Sequence, residues 1–173
     1  MTEDIDEKSI PDGYHSITPY LVIRNASKAI EFYKNAFGAK EIYRINGPDG
    51  ISIGHAELNI GDSIFMLSDE YPEMKWFSPE SIGGSPVSMY VYVKDVDRIF
   101  NQAISQGATA IKPVEDQFYG DRSGFLKDPF GHFWSIATRK QNLSIEEVKK
   151  KGEEKMLEML NKKIKNDNIP SSL

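Results

Sequence analysis

The stretch ITPYLVIRNASKAIEFYKNAFGA, residues 17–39, changes its hydrophobic period halfway along. Residues 17–23 alternate: Ile17, Pro19, Leu21 and Ile23 fall on one side of an extended chain, Thr18, Tyr20 and Val22 on the other. Past Asn25 the apolar positions Ala29, Ile30, Tyr33 and Phe37 recur at helical spacing, with Asn25 or Ser27 as the cap and Gly38 as the stop. A strand therefore runs into a helix. KEIYRIN (40–46), the turn GPDG (47–50), ISIGHAEL (51–58) and GDSIFML (61–67) then supply three more strands, so the unit reads β-α-β-β-β.

The same order returns 70 residues later. VSMYVYV (87–93) leads into KDVDRIFNQAISQGA (94–108), followed by TAIKPV, GDRSGFL and GHFWSIA. Ile23-Arg24-Asn25 matches Val93-Lys94-Asp95 and Gly61-Asp62 matches Gly131-His132, each 70 apart, while Gly38-Ala39 and Gly107-Ala108 are 69 apart. One deleted residue within the second helix accounts for the difference. Between the repeats, EYPEMKWFSPESIGGSP is rich in proline and glycine and reads as a linker. The chain thus divides into a flexible N-terminal segment (1–13), a first unit (14–70), a linker (71–86), a second unit (87–140) and a C-terminal helix with its tail (141–173). In that helix Ser144 and Glu147 form a capping box, and Ile145, Val148, Met156, Met159, Leu160 and Ile164 mark an apolar stripe. Gly152 weakens it by about 1 kcal/mol relative to alanine. Because its lysines and acids nearly cancel, docking on a neighbouring surface is expected rather than membrane anchorage.

Composition narrows the function classes. With 39% hydrophobic and 27% charged residues the chain has the balance of a soluble globular protein, and its apolar runs are too short to span a bilayer. The absence of cysteine removes disulfides and thiolate metal sites. A net charge of −5 opposes general binding to nucleic acid. The acidic N-terminus is unlike a secretory signal, so a cytoplasmic location is the expectation.

Two such units, with AIEFYKNAFGA after the first strand and DPFGHFW before the last, resemble the glyoxalase/bleomycin resistance/dioxygenase superfamily, the vicinal oxygen chelate proteins. PYLVIRNASKAIEFYKNAFGA, HAELNIGDSIFMLSDE and EDQFYGDRSGFLKDPFGHFWSIATR are similar to its PhnB-like branch. The resemblance implies an α+β fold: two tandem β-α-β-β-β units forming a curved mixed sheet around a cleft, with helices outside and the C-terminal helix appended. It also implies a homodimer and, in the enzymes of the superfamily, a divalent metal held by the first and last strands of each unit. Carried over by motif, those ligand positions fall on Thr18, Phe65, Ser88 and Ser135. None is histidine or a carboxylate, so no metal and no other cofactor is expected here.

Strand alternation turns Thr18, Tyr20, Ser88, Tyr90 and Tyr92 toward the cleft, joined by Phe65, Phe133 and Ser135 of the last strands. Tyr119 and Arg122 are candidates for its wall, the guanidinium offering a fork for an acidic ligand. The competing role for Arg122 is an internal brace with Asp121, and Asp128 is expected to be structural within its Asp-Pro-Phe-Gly turn. His55 and Glu57 lie two apart on a strand and are the remaining metal candidates, with Glu57 also a candidate general base; two ligands fall short of the usual three or four. These residues point to a metal-independent binder of a small, partly aromatic organic molecule. The alternative is a lyase, isomerase or dioxygenase of the same superfamily, depending on a metal or on Glu57.

Overall fold

A computed structural model describes residues 9–167, with side chains placed as far as residue 163. Residues 1–8 of the N-terminal segment, the tail from 168 and the side chain of Ile164 lie outside the described residues. The first unit comprises β1 (Tyr20–Ile23), α1 (Ala26–Phe37), β2 (Lys40–Asn46), β3 (Ile53–Ile60) and β4 (Ser63–Asp69). The second repeats it as β5 (Ser88–Tyr92), α3 (Val96–Ser105), β6 (Thr109–Asp116), β7 (Asp121–Lys127) and β8 (Phe133–Arg139). Each unit folds into a four-stranded mixed sheet, ordered β1-β4-β3-β2 and β5-β8-β7-β6, with β1 parallel to β4 and β5 to β8. The linker holds a short turn of 3-10 helix (Pro72–Met74) and one helical turn, α2 (Pro79–Ile82); α4 (Ile145–Asp167) closes the described chain.

Helix starts are held by the last strand of each unit, and α3 also by its own N-cap, Asp95, whose Oδ1 accepts from the Arg98 N–H at 3.1 Å. Asn25 lies in the left-handed region, φ 69°, and neither it nor Ser27 caps α1 through its side chain. The last residue of β4 does so instead: Asp69 Oδ1 accepts from the Ala26 N–H at 2.9 Å, and Oδ2 from Ile53 N–H at 2.7 Å. Thr138 occupies the corresponding place in the second unit, its Oγ1 accepting from Val96 N–H at 2.9 Å and donating to the Val93 carbonyl at 2.8 Å. Each fourth strand therefore contributes to where its unit's helix begins, alone at α1 and together with Asp95 at α3.

One core serves both units. Tyr33 and Phe37 of α1 pack against Phe65 of β4 and Trp134 of β8, with ring centroids 4.8–5.6 Å apart for Tyr33–Phe65, Tyr33–Trp134 and Phe37–Trp134. At its centre sits Asp128, only 2% exposed, which accepts from Tyr33 Oη (2.8 Å), Trp134 Nε1 (2.9 Å) and the N–H groups of Phe130 and His132 (both 2.9 Å). A turn of the second unit is thereby bolted to the helix of the first. His132 reaches the β1 backbone, Nε2 to the Val22 carbonyl at 3.2 Å, and burial holds its pKa below the ordinary value.

The two β-hairpins before the last strands differ in length. β3 and β4 join through Gly61-Asp62 alone, since Ile60 pairs Ser63, whereas β7 and β8 join through the longer turn built on Asp128. Aligning the glycines 61 and 131 thus misplaces the following strands by one residue. The counterpart of Phe65 is Trp134, and that of Ser135 is Met66, as the pairings Leu21↔Leu67 and Val91↔Ile136 show. Phe65 accordingly belongs to the core face, not the cleft face assigned from the sequence.

Candidate functional site

Away from the helices each sheet presents a face of aromatic and polar side chains. On the first, Glu57 of β3 stands opposite Tyr43 of β2 and Met66 of β4, flanked by His55 on its own strand. Its carboxylate is 5% exposed and accepts from Tyr14 Oη at Oε2, from Tyr43 Oη at Oε1 (2.7 Å) and lies 3.3 Å from His55 Nε2. Tyr20 Oη meets His55 Nδ1 at 3.1 Å, and the Tyr20 ring stands edge-on to Trp76, 5.6 Å between centroids. Trp76 in turn donates from Nε1 to Ser68 Oγ at 3.2 Å. Burial pushes the Glu57 carboxyl up, but the donors Tyr14, Tyr43 and His55 together outweigh it, leaving its pKa below the ordinary value. It is charged at neutral pH. The same hydrogen bond pushes the Tyr14 phenol up to about 12.

On the second face the buried acid is Asp121, 1% exposed. It accepts from Tyr92 Oη (2.7 Å), Tyr90 Oη (3.2 Å) and Arg139 Nε (3.0 Å), and the Arg139 guanidinium lies 5.8 Å from the centre of the Tyr92 ring. Further along the same face Phe125 and Phe133 stack, centroids 5.4 Å apart. Ser88, Tyr90 and Tyr92 pair with Phe133, Ser135 and Ala137, so these predicted residues do share one face. Tyr119 joins them, its hydroxyl 3.4 Å from Ser123 Oγ, and burial followed by the Tyr119 contact raises the pKa of Tyr90. Among the described residues, no hydrogen bond, ion pair or ring contact links the two faces. Where the units meet, a groove of about 440 Å³ runs between Ile17, Pro19 and Ile64 on one side and Met89 and Tyr92 on the other, with Phe65 and Trp134 among its lining.

Several expectations change. Thr18 precedes β1 and its hydroxyl reaches only the His15 carbonyl, at 3.4 Å, while Tyr20 sits on the first face as expected. Arg122 pairs Thr138, on the helix side of its sheet, and binds Asp97 of α3 through Nε (2.9 Å) and Nη2 (2.8 Å) and Asp116 through Nη1 (3.2 Å). It braces the helix and is not part of either face. Its expected partner, Asp121, points to the opposite side because neighbours on a strand alternate. The arginine that does belong to a face is Arg139, which the sequence reading passed over. None of Tyr43, Tyr14 and Trp76 was legible in the sequence: register shifts on either side of Tyr43 set it across from Glu57 rather than where the GPDG turn alone would, and only the folded chain brings Tyr14 and Trp76 there.

Thr18, Ser88 and Ser135 offer hydroxyls and Phe65 is replaced in register by Met66, so no imidazole or carboxylate stands at those four positions. Elsewhere among the described residues no three His, Asp or Glu side chains converge as ligands would. The residues present do not fit the superfamily's divalent metal. No described helix is long and apolar enough to cross a membrane.

Comparison with known proteins agrees with the fold. The chain is 43% identical over 136 residues to the uncharacterised protein Mb0911c of Mycobacterium bovis, covering 77% of this chain and 89% of that one. Among solved structures it is similar to an Arabidopsis thaliana gene product, AT5G48480, at 28% identity and a TM-score of 0.58, covering 71% and 98% of the two chains. A PhnB protein of Bacillus cereus shares the fold, with 21% identity, a TM-score of 0.57 and coverages of 72% and 99%. Residues 13–136 match the model of the glyoxalase/bleomycin resistance protein/dioxygenase superfamily, and the chain belongs to that family.

Proposed function

We propose that this protein binds a small organic molecule without a metal, between the aromatic face of one unit and a facing wall supplied by a second chain. The observation that carries the reading is that both faces are built and open: Tyr20, Tyr43, Tyr90 and Tyr92 all stand exposed around buried, hydrogen-bonded acids. Rings held in place by hydroxyl contacts offer large contact area at small entropic cost. A homodimer that sets the first face of one chain against the second face of its partner would enclose a cleft.

The alternative is catalysis by Glu57, which has the reach of a general base and a histidine beside it. Its depressed pKa weakens this reading, because a base works best with a pKa near the working pH. A thermal-shift screen of small molecules, run with and without divalent metal, tests the proposal. Stabilisation by an organic hit that is indifferent to chelator is the expected result. Hits appearing only with added metal, or turnover of a hit that disappears in Glu57→Gln, would favour the enzyme.

A further inference from the structure

The first face carries a buried carboxylate whose one potential ion-pair partner among the described residues is the imidazole of His55. Glu57 is buried and ionised, yet the groups that satisfy it are two neutral phenols and His55; the arginines of the same unit are engaged elsewhere, Arg24 with Glu70 and Arg44 with Glu41. A buried carboxylate is ordinarily matched by a cation, and among the described residues no Lys or Arg reaches this one. Tyr14 and Tyr43 donate to it directly, Tyr20 is held through His55, and Trp76 stands edge-on to Tyr20 at the border of the same face, each ring fixed by its own hydrogen bond. Phenols that donate to an anion become more electron-rich, which deepens the negative potential over their faces. Such a surface attracts positive charge twice, through the carboxylate and through the rings.

We propose that the Glu57 face is a binding site for an organic cation, a quaternary or protonated amine carrying an apolar body. This rests on the reading of the protein as a small-molecule binder and names its ligand class. It reverses the charge expected from Arg122, whose guanidinium is consumed by Asp97 and Asp116. The second face does not compete for the role, since the charge of Asp121 is answered there by Arg139. A metal ion does not compete either: among the described residues His55 and Glu57 are the two groups that would ligate it, whereas a quaternary ammonium needs no ligand atoms and draws on the rings.

The test is calorimetric titration of the full chain with three probes of similar size, benzyltrimethylammonium, benzyl alcohol and benzoate. The ammonium is expected to bind at least tenfold more tightly than the other two. Glu57→Gln, which keeps a polar group among the phenols, should abolish that preference. Trp76→Leu should weaken the ammonium about fivefold; at 42% exposure its ring is not needed for the core, so this variant remains informative if Glu57→Gln fails to fold. Benzoate or benzyl alcohol binding as well as the ammonium would overturn the cation site while leaving the binder intact. Failure of all three probes to bind, or ammonium binding unchanged in Glu57→Gln or Trp76→Leu, would overturn it as well; the binder reading is decided separately by hits or their absence in the thermal-shift screen.

Discussion

Asp128 shows how one residue can join two halves of a molecule. Four donors converge on its carboxylate from α1, β8 and its own turn, so Asp128→Ala leaves buried N–H and O–H groups without acceptors. Each such orphan costs about 1–3 kcal/mol, and we expect a loss of at least about 3 kcal/mol in urea unfolding. Arg122→Lys keeps the charge but loses the bidentate grip on Asp97. Because that ion pair faces solvent, the expected outcome is a small fall in melting temperature with the affinity for any thermal-shift hit unchanged; lost affinity at unchanged stability would contradict the brace. Glu70 is the residue with the clearest acid signature. The Ser81 hydroxyl, the Ser78 N–H and Arg24 hold its carboxyl down to about 2, against burial, which acts in the other direction. A depressed pKa contributes stability above the ordinary carboxylate value that is lost as pH falls toward the folded one. Glu70→Gln should therefore flatten the acid limb of the stability profile between about pH 4.5 and pH 2, leaving its slope above pH 6 unchanged.

Among the elements, α4 stands apart. Its capping box forms as the sequence suggests, Ser144 N–H to Glu147 Oε2 at 2.8 Å and Glu147 N–H to Ser144 Oγ at 3.2 Å. The apolar stripe, expected to be docked, instead leaves Ile145, Met156, Met159 and Leu160 more than half exposed among the described residues. Gly152 lies where the helix meets the domain: a Cβ there would come 3.2 Å from Phe118 Cε2. The end of that ring is partly exposed and can give by a few tenths of an ångström, while alanine gains about 1 kcal/mol of helix propensity. Gly152→Ala should then raise helicity in far-UV circular dichroism and increase amide protection along α4. A fall in either would mean that the Phe118 contact requires glycine.

For the molecule as a whole, the two units share a core but each leaves an aromatic face uncovered. Light scattering at micromolar concentration should give twice the mass of one chain, and the melting temperature should rise with protein concentration, as it does for any folded state stabilised by association. A monomeric mass with a concentration-independent melting curve would remove the second chain from the proposed cleft.

By itself the sequence determined the element order, the duplication, the core faces of β1 and β5 and the aromatic face of β5 and β8, because period and alternation are local properties repeated in each unit. It placed Asp128 correctly as structural, since an Asp-Pro-Phe-Gly turn announces itself. Tertiary structure decided the rest. Phe65 lies in the core because its register matches Trp134; the longer turn before β8 than before β4 makes matching glycines hide that one-residue offset. Arg122 went to Asp97 and Arg139 to Asp121 because partner choice across a sheet depends on which side each residue faces and what the neighbouring helix offers. The surroundings of Glu57 come from Tyr14, Tyr20, Tyr43 and Trp76, residues from the stretch ahead of β1, two strands and the linker. Contacts of that separation leave no periodic trace along the chain, and only folding closes the loops that bring them together.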